Sequence, residues 1–256
     1  MPHAVQSIRD LGQRLFSAPP RCTEQELLDA ESHDPNELAA NFRDIQRVNQ
    51  LLGGTSTILR HLPDLIANLP PEQPITILDL ATGAADIPLT ISKWGTKCDL
   101  DLHIVASDYA GDILALAQTQ LAGHRAISFA RYDARDVSLP DNAFDIVLCS
   151  LSLHHFQPDD AVQVLREMDR LARTGFILND LRRSRLGYAA AWIAAHLTTR
   201  NRLTRNDAPL SVLRAYTPAE LSDLLHRAGI HHATISTNPW FRMAAVAISE
   251  GTDNHA

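Results

Sequence analysis

Asp79, Thr82 and Gly83 fall in the stretch ITILDLATGAADIP, residues 75–88, where an apolar run ends on an acid and passes into very small residues. A carboxylate at the end of a buried strand is an acceptor able to bind an ammonium group directly or through water. A turn of small residues beside it lets a ligand lie against the backbone, and the N–H groups opening the next helix face that ligand. Gly83 supplies the freedom to adopt a positive φ, while Ala81 and Ala85 are expected at positions that need only an ordinary φ. Pro88 suits the first turn of the following helix. The G-x-G-x-x-G dinucleotide fingerprint is not met, because the turn holds a single glycine. Asp79 would also repel a pyrophosphate, so a cationic ligand fits better than an anionic one.

Further acids and bases recur at the ends of later apolar runs. Asp108 and Tyr109 close IVASDY, Asp133 and Ala134 lie in YDARDV, and Ser150 lies in FDIVLCSLSLHHF, with His154 and His155 just beyond it. Histidine is the side chain best suited to take a proton near neutral pH. His155, and after it His154, is therefore the candidate to contact a substrate, the plainer reading being that both pack as loop residues. Aspartates at such places are also ordinary turn formers. Asp180, in LNDLRRSR, would hold substrate or pair with Arg182, the ion pair being the expectation. Spacing along the chain reveals no metal site, since His231-His232 and the scattered carboxylates follow no ligand pattern.

The elements that must carry these residues divide the chain into four stretches. Residues 1–72 read as a helical cap, with TEQELLDAE opened by a Thr23–Glu26 capping box and PNELAANFRDIQRVNQLLGG stopped at Gly53-Gly54. Residues 73–181 alternate short apolar strands with helices, the signature of a parallel sheet. Residues 182–216 read as an insertion, the helix RLGYAAAWIAAHL followed by the polar loop TTRNRLTRNDAPLS, which would shelter an apolar or aromatic molecule beneath Tyr188 and Trp192. Six arginines flank that helix and either attract a carboxylate or phenolate or form a solvated basic rim, the rim being the expectation. Residues 217–250 return to the sheet through a helix capped by Thr217, Glu220 and Gly229, then two strands joined at Asn238-Pro239.

Composition narrows the partners. The formal net charge of −7 over 256 residues disfavours nucleic acid as the main partner. No run approaches the roughly 18 apolar residues of a membrane span. Three scattered cysteines and an opening stretch unlike a secretory signal suit a reducing cytoplasm.

With those motifs in order, the chain resembles the class I S-adenosylmethionine-dependent methyltransferases, closely over residues 74–180 and loosely over 215–248. Within that family it is similar to the ubiquinone- and menaquinone-biosynthesis type and to secondary-metabolite relatives. The resemblance implies an α/β fold, a Rossmann-like, doubly wound, mostly parallel seven-stranded sheet with an antiparallel C-terminal strand. It implies S-adenosylmethionine as cofactor, with Asp79, Ala81, Thr82 and Gly83 forming the first motif. Asp108 would take the ribose hydroxyls, Tyr109 would lie beside the adenine, Asp133 and Ala134 would read the adenine edge, and Ser150 would line the methionine portion. A small phenolic, quinone-like or polyketide acceptor is the implied substrate, methylated at oxygen or carbon, and a homodimer is compatible with the pattern. Two other readings stand beside it, a cofactor-binding protein that transfers no methyl group and a nicotinamide-dependent oxidoreductase.

Overall fold

The computed structural model describes residues 18–30, 32–67, 69–70 and 73–249. The first 17 residues of the expected cap therefore lie outside the described residues. Seven strands form one sheet in the order β3-β2-β1-β4-β5-β7-β6, with β1 at Ile75–Leu80, β2 at Leu102–Ser107, β3 at Ile127–Ala130, β4 at Phe144–Ser150, β5 at Ala172–Leu181, β6 at Ala233–Asn238 and β7 at Arg242–Ile248. β1 pairs in parallel with β2 and β4, and β7 alone runs against its neighbours β5 and β6. The order reverses between β1 and β4, and a ligand crevice belongs outside the carboxyl ends of strands at such a point.

Helices cover both faces of the sheet. On one face α5 (Pro158–Leu171) and α8 (Pro218–Ala228) bury Val164, Leu165, Met168, Leu221 and Leu225 against Leu78, Val147 and Phe176. On the other, α2 (Gly54–Ile66), α3 (Asp86–Lys97) and α4 (Gly111–Gln120) bury Ile58, Leu62, Ile91 and Ala117 against Ile77, Ile104 and Leu148. Strands covered on both faces need near-continuous apolar runs, and ITILDL and FDIVLCS are such runs. Helix α1 (Pro35–Leu51) starts at Asp34, whose carboxylate accepts from the amides of Asn36 and Glu37. Gly53, at φ +78°, then turns the chain into α2.

Two expected elements take another form. TEQELLDAE forms no α-helix, and Thr23 caps nothing. A single 3-10 turn, Leu27–Asp29, takes its place, with the Leu27 and Leu28 amides donating to the Asp207 carboxylate. The loop expected at 198–211 is largely helix. After α6 (Arg185–Thr198), Asn201 caps α7 (Arg202–Arg214) by accepting from the Thr204 amide. Polar composition and an internal Pro209 hide α7 in the sequence, yet Leu203 and Val212 are buried on opposite sides of it and tertiary packing outweighs propensity. The capping box at Thr217 and Glu220 and the left-handed Gly229 appear as expected.

Candidate active site

The turn after β1 is stitched to the end of β2. Thr82 donates its amide to the Ser107 carbonyl at 2.8 Å, and Gly83 donates its amide to Asp108 Oδ2 at 3.0 Å. Asp108 Oδ1 accepts from the Ala110 amide at 3.0 Å. Asp79 is buried, and its Oδ2 accepts from the Thr82 hydroxyl at 2.6 Å while its Oδ1 has no partner. Burial, reinforced by the neighbouring charges of Asp86 and Asp108, pushes the Asp79 carboxyl up to about 7. Burial likewise raises Asp108, against the backbone donors that hold its charge. An orphaned buried carboxylate oxygen is costly and calls for a donor.

The alanines of this turn correct one expectation. Ala81 and Ala85 adopt φ +52° and +57°, the left-handed region, as does Gly83 at +57°. A side chain is strained there, at a cost of about 1–2 kcal/mol per residue. The turn therefore keeps a glycine-type backbone without the glycines. The open backbone expected at Gly83 is also occupied, because a Cβ there would meet the Phe42 ring of α1 at 2.8 Å.

The other candidates are spread along the same edge. Tyr109 is largely exposed, with the Arg131 guanidinium 5.2 Å from its ring centre. Asp133 is held by Arg135 at 2.6 Å, whose hydrogen bond keeps its carboxyl below the ordinary range, and Ala134 is buried in the core. Ser150 accepts from the Asn179 side chain at 2.8 Å. The structure thus joins Asp79, Thr82, Gly83 and Asp108 into one hydrogen-bonded cradle, whereas Asp133 and Ser150 belong to local pairs.

His154 and His155 end the 3-10 turn Leu153–His155, which follows β4 through Leu151 at φ +54°. His154 Nδ1 lies 2.7 Å from Asp180 Oδ1, and its own amide donates to Asp180 Oδ2 at 3.0 Å. Asp180 therefore pairs with His154 rather than with Arg182. His154 holds its carboxyl below the ordinary range in spite of complete burial. His155 Nδ1 lies 2.7 Å from Asp29 Oδ1, whose Oδ2 takes the Arg214 guanidinium at 2.6 Å. Burial opposes the Asp29 charge, but His155 and Arg214 together hold its carboxyl far below the ordinary range. Arg214 also donates to the carbonyl of His155 at 2.9 Å. Glu26 closes the cluster, 3.6 Å from His154 Nε2 and 3.8 Å from His155 Nε2, its carboxyl pushed by burial up to about 7.

Sequence reading missed Glu26 and Asp29 as site residues, and Arg214 altogether. Asp29 and His155 are 126 positions apart, and Arg214 and Asp29 are 185 apart. No spacing reveals a contact of that range. The strap carrying Glu26 and Asp29 is anchored by Arg21, which donates to the carbonyls of His154, Phe156 and Arg214 and lies over the Tyr216 ring. The basic rim is likewise not all solvated, since Arg183 is buried on the carbonyls of Pro19 and Ala215 and on Glu220. Tyr188 and Trp192 are exposed rather than sealed beneath a cover, with Trp192 stacked on His196 at 4.3 Å. A cavity of about 400 Å³ opens between the start of α6 and Phe241, lined also by Ala18, Arg182 and Thr217.

Residues 77–175 match the family model described as a methyltransferase domain. The chain is 27% identical over 170 residues to a demethylmenaquinone methyltransferase of Clavibacter sepedonicus, covering 61% of this chain and 65% of that protein. It is 34% identical over 106 residues to one of Deinococcus radiodurans, covering 41% of each. The matched stretches thus span less than two thirds of these curated relatives. In three dimensions the chain superimposes on a S-adenosylmethionine-dependent methyltransferase of Aquifex aeolicus with a TM-score of 0.56, at 16% identity, over 85% of this chain and 99% of that one. Sheet order and matched domain agree: the chain has the Rossmann-like sheet of that structure, and residues 77–175 match a methyltransferase domain, as the resemblance to the class I S-adenosylmethionine-dependent methyltransferases implies.

Proposed function

We propose that the protein transfers a methyl group from S-adenosylmethionine to a small aromatic acceptor of phenolic, quinone-like or polyketide type. The observation that carries this reading is the adjoining of two features, a cradle with an unpartnered buried carboxylate oxygen on Asp79 at the end of β1 and a histidine–carboxylate cluster just past the end of the adjacent strand β4. The cradle fits the cofactor, because an ammonium group is the donor that Asp79 Oδ1 lacks. Asp79, Ala81, Thr82 and Gly83 would hold its amino-acid end together with Ser150, Asp108 its ribose, and Tyr109, Asp133 and Ala134 its base. The bound group supplies a methyl on a positively charged sulfur. The protein's own share is to align the acceptor, exclude water and manage the acceptor's proton.

His155, the less buried of the two histidines, contacts the acceptor, and His154, held by Asp180, supports it from beneath. A carboxylate on each Nδ1 fixes the orientation of each ring and turns its Nε2 the other way. The strap of residues 18–30, with α1, α6 and α7, forms the substrate cover, and the relatives' named activity supports a quinone-like ring. No helix among the described residues is long and apolar enough to cross a membrane, which accords with a cytoplasmic enzyme acting on a small molecule.

The test is incubation with labelled cofactor and a panel of phenols and hydroxyquinones, with product analysis to assign oxygen or carbon as the acceptor. His155→Ala is expected to lower kcat about 100-fold or more and to shift the pH–rate profile, with cofactor affinity unchanged. An unaltered profile removes His155 from the mechanism. Persistent absence of transfer, with the cofactor still binding, favours a non-catalytic role.

A further inference from the structure

The two histidines and Glu26 share a geometry that methyl transfer does not require. Both imidazoles are turned the same way, each with Nδ1 against an aspartate at 2.7 Å and each with Nε2 toward Glu26. At 3.6 and 3.8 Å those Nε2–carboxylate separations are too long for hydrogen bonds. Glu26 Oε1 accordingly has no partner, although the Glu26 side chain is only 3% exposed. Among the described residues these three offer ligand atoms that all lie within 4.8 Å of one another.

We propose that Glu26, His154 and His155 form a site for a divalent transition-metal ion, with Asp180 and Asp29 orienting the imidazoles. Two histidines and one carboxylate with open positions remaining is a ligand set of zinc and of non-haem iron. Ligands about 2.0–2.2 Å from such an ion stand about 3.3 Å apart across a tetrahedron, so the two Nε2–carboxylate gaps, which reach different oxygens of Glu26, would close by a few tenths of an ångström, with all three ligand atoms drawn in from within 4.8 Å of one another. A carboxylate on the second nitrogen of each histidine is the usual support of a metal-bound imidazole. Charge favours occupancy as well. Around the imidazoles stand the carboxylates of Glu26, Asp29, Asp180 and Asp207 and the guanidinium groups of Arg21 and Arg214, a neighbourhood richer in carboxylates than in guanidinium groups. Arg214 Nε, 3.7 Å from Glu26 Oε1, satisfies no hydrogen bond there and leaves that oxygen to the ion.

The site is tested without reference to methyl transfer. The full chain, stripped with chelator and free of any affinity tag, is titrated with Co²⁺ and followed by visible absorption, then with Zn²⁺ by calorimetry. One equivalent of Co²⁺ is expected to give d–d bands that Zn²⁺ displaces. Glu26→Gln, which keeps the shape, is expected to weaken Zn²⁺ binding at least tenfold, and His155→Ala to do the same. Asp180→Asn, acting through His154, is expected to cost about 10–100-fold while leaving one site. Asp223→Asn, at an exposed acid on α8, is expected to change nothing. Should Glu26→Gln fail to fold, Glu26→Asp, which retracts the carboxylate while keeping its charge, is expected to show the same loss. Absence of a saturable one-site signal in the parent overturns the proposal, and so does binding that is indifferent to both Glu26 and His155.

Discussion

The cofactor cradle and the histidine cluster adjoin at the carboxyl edge of the sheet, yet they handle charge in opposite ways. The cradle buries the carboxylate of Asp79 beside other acids and gives it one hydroxyl donor. The cluster sets its acids against His154, His155 and Arg214, and leaves one oxygen of Glu26 over. Charge in the first region waits for a cationic visitor, whereas charge in the second largely holds the protein's own segments together. Removing a charge should therefore relieve the cradle and break the cluster.

Arg214→Met carries the largest expected effect. The side chain is buried and ties Asp29 on the strap to the carbonyls of His154 and His155. Its loss leaves buried carboxylates uncompensated, at a cost of about 3–5 kcal/mol in chemical denaturation. A cost under 1 kcal/mol would show that the cluster contributes little to cohesion.

Asp79→Asn sharpens the comparison from the other side. A folded-state value of about 7, above that of the unfolded chain, means that folding retains a proton which the unfolded chain releases. Stability contributed at low pH is then lost as pH rises from about 4 to 7, and the loss is complete above that window. Asp79→Asn should flatten this decline and leave the ligand-free variant more stable than its parent at pH 8, by on the order of 2–4 kcal/mol. It should also weaken cofactor binding about tenfold or more, since the ammonium loses its charged partner. Calorimetry in buffers of different ionisation enthalpy should find a proton released on binding near pH 7 by the parent and none by the variant. A variant less stable than its parent at pH 8 would refute the idea of a waiting charge.

Smallest are Ala81→Gly and Ala85→Gly. Each removes a Cβ from a left-handed backbone and should stabilise by about 0.5–1 kcal/mol, read as a rise in Tm. A fall in Tm would mean that the methyl group's burial outweighs its strain.

The same contrast explains what could be read from the chain. The cradle is encoded locally, because Asp79, Thr82 and Gly83 are neighbours in sequence and Asp108 ends the adjacent strand. Strand β1 was legible to the residue from its apolar run, and the cap of α8 from Thr217 and Glu220. The cluster draws on a strap, a strand end and α7, and its Glu26 looked like part of a helix start. Helix α7 was hidden because its stability comes from the two faces it buries rather than from its residues. The backbone strain at Ala81 and Ala85 was hidden for a related reason. A sequence names the residue, but the turn imposes the dihedral.

The ring of Phe42 has a consequence for access to the cradle. It lies against the one glycine of the cradle and rides on a helix whose Asn41 bonds to Thr204 of α7. A ligand approaching this peptide group from the Phe42 side would have to swing the phenyl aside, and Asn41 links that helix to its neighbour through the amide contact. Anything seated against Gly83 from that side is thereby tied to α7, the helix that ends in Arg214 of the histidine cluster.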